Sequence, residues 1–187
     1  MKKILFASVL FALAPAAAFA SPASPVVSLG YTGVGLSGHS VRPGFSIDAG
    51  QGFKHHIVAT GGATIARNFY EVGAGIGKMI PLSSALTFTP HIRAAFIDDN
   101  AAQDVFATAG ADLDYRLTSR VSFVAGGDYG YAMPTFAGGT GGQAFSGHAG
   151  IAASLSKHWT GSMGVSYLHL PGQNVAEYSA GVSYHFS

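Results

Sequence analysis

Residues 87–96 read TFTPHIRAAF and place a histidine and an arginine inside an apolar run. From residue 86 on, Leu86, Phe88, Pro90, Ile92, Ala94 and Phe96 fall on one side, and Thr87, Thr89, His91 and Arg93 on the other. A β-strand sends successive side chains to opposite faces, so the stretch has one greasy wall and one polar wall. The rest of the chain decides what each wall meets.

The chain opens MKKILFASVLFALAPAAAFA, with two lysines, an apolar stretch and Ala18-Phe19-Ala20 at its end. That order predicts a secretory signal peptide over residues 1–20, cleaved after Ala20. Residues 21–187 then form one domain. Without Lys2 and Lys3, eight Lys plus Arg stand against nine Asp plus Glu. Such a balance provides no electrostatic footprint for nucleic acid. Cysteine is absent, so no disulfide supports the exported fold.

Charged residues make up 10% of the chain, against roughly 25% in an ordinary soluble domain. After the leader, no stretch offers about 20 apolar residues in a row, as a membrane-crossing helix needs. An exported, apolar, charge-poor chain without such a helix points to a β-barrel.

Period-two segments follow one another between turn signals, and about ten strands result, with eight the other count the pattern allows. The expected architecture is all-β, a single closed antiparallel transmembrane barrel. The first two segments, Val26 to Ser37 and a short one from Phe45 to Gly50, carry the weakest alternation. The second face of the strands holds Gly, Ser, Thr and Ala with sparse Glu71, His91, Arg93, Asp112, Asp128, His148 and Glu177. A soluble sandwich would carry far more Lys and Glu on its wet face. An apolar exterior around a polar lumen suits a Gram-negative outer-membrane barrel.

Connection lengths agree. PLSS at 81–84, LTSR at 117–120 and LSKH at 155–158 are short, whereas DDNAAQ, PTFAGGTGGQ and LPGQN are longer. Short periplasmic turns and longer external loops are the usual asymmetry, although the turn at 67–68 is external and short. With that threading Tyr115, Trp159, Tyr184 and Phe186 fall near the periplasmic rim, and Tyr70, Tyr131, Tyr167 and Tyr178 near the external one. Aromatic rings favour the two membrane interfaces. Pro90 fits worst, because proline cannot donate to a ladder and a closed barrel has no free edge.

GAGIGKMIPLSS at 73–84 runs a Gly-alternating strand into a Pro-Leu turn, and GVSYLHLPGQN at 164–174 precedes EYSAGVSYHF at 177–186. On these motifs and the strand spacing the chain resembles the YfaZ family of small bacterial outer-membrane barrels. The resemblance implies fold and location and no chemistry. The last strand resembles a barrel-assembly signal, with Tyr184 and Phe186 in place and Ser187 after them. Expected partners are therefore outer-membrane lipid, lipopolysaccharide and the barrel-assembly machinery.

Two readings compete for His91 and Arg93. Glu71 on the preceding strand and Asp112 on the following one stand within reach of Arg93. A salt-bridge network filling a narrow barrel is favoured over a charged constriction in a narrow, porin-like pore for ions or small solutes. Gly73 to Lys78 mimics a phosphate loop but lacks its G-x-x-x-x-G-K-[ST] spacing. His55 and His56 suit a turn, and no grouping has metal-ligand spacing. Asp98, Asp99 and His169 faintly echo the rim of omptin proteases. Ser146 and His148 face inward, in the wrong order for a lipid A deacylase. The expectation is a non-enzymatic, cofactor-free barrel with a structural or interaction role.

Overall fold

The computed structural model describes residues 24–36, 40–99, 103–135 and 141–186. The leader assigned to residues 1–20, parts of the DDNAAQ and PTFAGGTGGQ connections, and Ser187 lie outside the described residues.

The strands are β1 (Val26–Leu36), β2 (Arg42–Gly52), β3 (Ile57–Ala66), β4 (Phe69–Lys78) and β5 (Ile80–Pro81). They continue with β6 (Leu86–Asp98), β7 (Gln103–Arg116), β8 (Val121–Pro134), β9 (Gly142–Ser154), β10 (Trp159–Leu170) and β11 (Gln173–His185). Each pairs antiparallel with its chain neighbour, and β1 pairs with β11 from Val26↔His185 to Leu36↔Val175. That last ladder closes the sheet, so every edge is satisfied as a lipid environment demands. Since β5 is the two-residue continuation of β4, the barrel has ten spanning strands.

Pro90 finds its explanation in this join. The ladder between β4 and β6 runs to Gly77↔His91, lapses at Lys78 and Met79, and resumes in the same register at Ile80↔Phe88. The lapse stands opposite Thr89 and Pro90, where the missing N–H costs no bond that the partner strand offers. Met79 N turns the other way and donates to His56 O at 2.8 Å. The second strand is also longer than its alternation implies, because Arg42, Pro43 and Gly44 pair with Val34, Gly33 and Thr32.

One end of the barrel holds four tight turns at 53–56, 82–85, 117–120 and 155–158. Phe53 N, Leu82 N, Leu117 N and Leu155 N each donate to the carbonyl four residues on, at 2.7 to 2.9 Å. In three of them a hydroxyl closes the turn: Ser83, Thr118 and Ser156 accept from the two following turn amides at 3.0 to 3.3 Å. His55 and His56 occupy the fourth turn with φ 62 and 61 and are exposed. The opposite end carries the longer connections, and also the 171–172 hairpin, where Gly172 takes φ 83 after Pro171, as this turn type requires.

The outer wall is apolar and exposed, with Leu29, Phe45, Ile47, Ile65, Val72, Ile76, Ile92, Met163 and Val182 among its residues. Tyr115, Trp159, Tyr184 and Phe186 stand on this wall at the turn end, and Tyr70, Tyr131, Tyr167 and Tyr178 at the loop end. Trp159 meets Tyr184 edge-on at 5.1 Å, and Tyr184 meets Phe186 at 4.9 Å.

Candidate functional site

Inside the barrel two layers lie one above the other. The first is polar and centres on Asp128 of β8, whose side chain is fully buried. Its carboxylate accepts from His91 Nε2 at 2.8 Å, Ser146 Oγ at 2.7 Å, Thr108 Oγ1 at 3.3 Å and Arg93 Nη1 at 3.3 Å. A buried charge is tolerated only when so compensated. Next to it, Asp112 lies 3.0 Å from His148 Nε2 and 3.4 Å from His91 Nδ1. His148, Asp112, His91, Asp128 and Arg93 thus form one continuous chain across β6 to β9.

Glycines make the chain possible. His91 and Asp128 both stand opposite Gly110, so the carboxylate leans over β7 through a gap with no side chain. Asp112 and His148 both stand opposite Gly126 and meet over β8 in the same way. On the other side of Arg93, Gly75 holds a Cβ-free space beneath the Arg93 Cγ.

Arg93 reaches Asp128, two strands away, a partner that its neighbouring strands do not suggest. Glu71 is fully buried and faces the lumen, and neither carboxylate oxygen accepts a hydrogen bond. Glu177 holds Thr32 and, at 3.5 Å, Thr64 across the lumen from β11 to β3. Asp48 of β2 joins this acidic side, buried and leaning over Gly62. The alternation of Phe45, Ile47 and Ala49 places Asp48 inward, so its signal was present in the sequence.

The second layer is apolar and lies at the loop end. Val34, Leu36, Ala66, Phe69, Ala95, Ile97, Phe106, Ala132, Ala144, Leu168, Leu170 and Val175 pack into one cluster. Every spanning strand except β2 contributes, and all these side chains point inward, so the layer packs inside the barrel at that end. The polar lumen expected from the sequence thus carries an apolar layer at one end, where the inward positions at the loop ends of β1, β4, β6, β7, β10 and β11 are apolar. Between the layers a small space of about 20 Å³ is lined by Arg93, Phe106, Ser146, His148, Ser166 and Leu168. That volume holds about one water.

The remaining candidates separate. His169 bonds Asn174 at 2.6 Å and stacks on Phe145, while Asp98 accepts from Gln103 at 2.8 Å on the far strands. They do not share a site. Ser146 is a donor to Asp128, and His148 belongs to Asp112. Among the described residues no three His, Cys, Asp or Glu side chains are placed to hold a metal ion.

No protein-family model matches the chain, and no curated protein matches it in sequence. Solved structures do match. The translocator domain of the autotransporter NalP from Neisseria meningitidis shares 12% identity and a TM-score of 0.56, covering 89% of each chain. A NanC porin structure shares 11% identity and a TM-score of 0.53, covering 83% of this chain and 98% of that one. A KdgM porin shares 12% identity and a TM-score of 0.50, covering 86% and 99%. The likeness is one of fold: a closed antiparallel membrane barrel.

Proposed function

We propose that this chain is an integral outer-membrane β-barrel protein with a structural or interaction role, carrying no solute through its lumen. The observation that carries this reading is the apolar layer over the ion-pair layer, which fills the barrel with its own side chains. The outer wall supports the membrane placement, since exposed Leu, Ile, Val and Phe would aggregate in water and are at home in lipid. In this reading the four tight turns face the periplasm and the longer loops face outward. Membership of a YfaZ-like family, a cleaved leader at residues 1–20 and a non-enzymatic role belong to the same proposal.

A narrow pore is the alternative that two of the fold relatives, both named as porins, bring into view. It requires a continuous aqueous path, and the loop-end layer stands across that path. Planar-bilayer recording separates the two. The plugged barrel is expected to give no stable unitary steps, in the native protein or in Arg93→Ala. Steps whose size changes in Arg93→Ala would overturn it in favour of the pore.

A further inference from the structure

The nine carboxylates and eight cations among the described residues are not distributed alike over the surface. Asp48, Glu71, Asp112, Asp114, Asp128 and Glu177 lie on the inward face, and Asp98, Asp99 and Asp104 lie at the loop end. The outer surface of the turn end carries no acid. It carries Lys54, Lys78, Arg120 and Lys157, all exposed and none in an ion pair among the described residues.

An apolar residue accompanies these cations in every turn. Phe53, Leu82, Leu117 and Leu155 occupy the same hydrogen-bonding position in the four turns and are 49%, 57%, 52% and 65% exposed. Each continues the outward face of its strand, and Leu155 lies against the outward-facing Gly161. Four apolar anchors and four cations at one level match a surface that is hydrocarbon on one side and anionic on the other. A neutral interface would leave the cations without partners. A water-soluble acidic protein would leave the anchors and the aromatic residues beside them half exposed.

We infer that the turn end of the barrel binds anionic phospholipid, with Phe53, Leu82, Leu117 and Leu155 seated in the acyl region and the four cations on the phosphates. The inference rests on the membrane reading above. Basic groups near an anionic leaflet are drawn to it, and salt screens that attraction. Arg120 and Lys157 are well placed to test it. Arg120 O bonds Ser154 N at 2.8 Å, beside the turn that carries Lys157 and leads into Trp159.

Trp159 is the only tryptophan of the chain and lies on the outer wall at this level, so its fluorescence reports which lipid is adjacent. The full-length barrel is refolded into vesicles containing brominated phosphatidylglycerol or brominated phosphatidylcholine at equal mole fraction. The expected result is a preference for the anionic lipid of about threefold or more, falling towards parity in Arg120→Gln/Lys157→Gln and at high salt. Arg42→Gln/Arg67→Gln at the loop end is expected to keep the native preference. Equal quenching in the native protein, or a preference that survives the turn-end substitutions, overturns the inference. Heat-modifiable migration on a gel checks that each variant is folded, and the single Arg120→Gln replaces a double variant that fails it. Quenching by neither lipid means that the barrel is not inserted, and overturns the membrane reading with it.

Discussion

Gly110 and Asp128 face each other across β7 and β8 so closely that a Cβ on Gly110 would stand 2.7 Å from Asp128 Oδ1 and would collide with Gly127 O. The gap is what lets Asp128 reach His91 and Arg93 over an intervening strand. Gly110→Ala is therefore expected to destabilise the barrel by about 1–3 kcal/mol, the usual range for overpacking. Gly147 faces outward, and its nearest neighbour to a Cβ is Gly126 O at 3.8 Å. Gly147→Ala should leave the urea midpoint of the refolded protein nearly unchanged, and equal shifts in the two variants would refute the argument.

Removing Asp128 leaves the Arg93 guanidinium and the His91 imidazole facing a buried space. Asp128→Ala is expected to cost about 3–5 kcal/mol in equilibrium unfolding, as for other broken buried ion pairs. Much of that cost is the stranded charge, so Asp128→Ala/Arg93→Met should be more stable than Asp128→Ala alone. A double variant worse than the single one would mean that Arg93 is held by other groups.

The loop-end layer behaves as a hydrophobic core placed inside a membrane barrel. Phe106 is almost fully buried there, and Phe106→Ala is expected to cost about 3–5 kcal/mol. Tyr129 faces lipid from the neighbouring strand and is more than half exposed. Tyr129→Leu keeps an apolar surface against lipid, so unfolding in detergent micelles should distinguish the two variants clearly.

Pro90 costs the barrel little, because the ladder lapses opposite it. Pro90→Ala is expected to change stability by less than about 0.5 kcal/mol. Proline at Ala94, which pairs with both Ala74 and Ala107, should cost about 3 kcal/mol or prevent folding. The two variants compared by heat-modifiable migration test whether the lapse is a property of the place or of the residue.

Much of this was legible along the chain. The alternation in TFTPHIRAAF and its counterparts assigns His91, Arg93, Asp112, Asp128 and His148 to one face, because strand geometry leaves no other arrangement. The same alternation assigns Ile92, Val72 and Met163 to the other face, and hydrogen-bond closure in lipid turns a row of such strands into a barrel. Even Asp48 and the inward Phe69, Phe106, Leu168 and Val175 could be read off in this way, one strand at a time.

What no single strand carries is which inward residues meet. The expectation for Arg93 looked to Glu71 and Asp112 on the adjacent strands. Asp128, two strands away, reaches it as well, because strand register sets it at the height of His91 and Arg93, and Gly110 removes the side chain between them. The loop-end layer arises likewise, when nine strands bring their inward apolar ends to one level. Sequence alone determined the faces, through the local period of the backbone. The tertiary structure decided the pairs and the plug, since both depend on register and closure, which relate residues far apart in the chain.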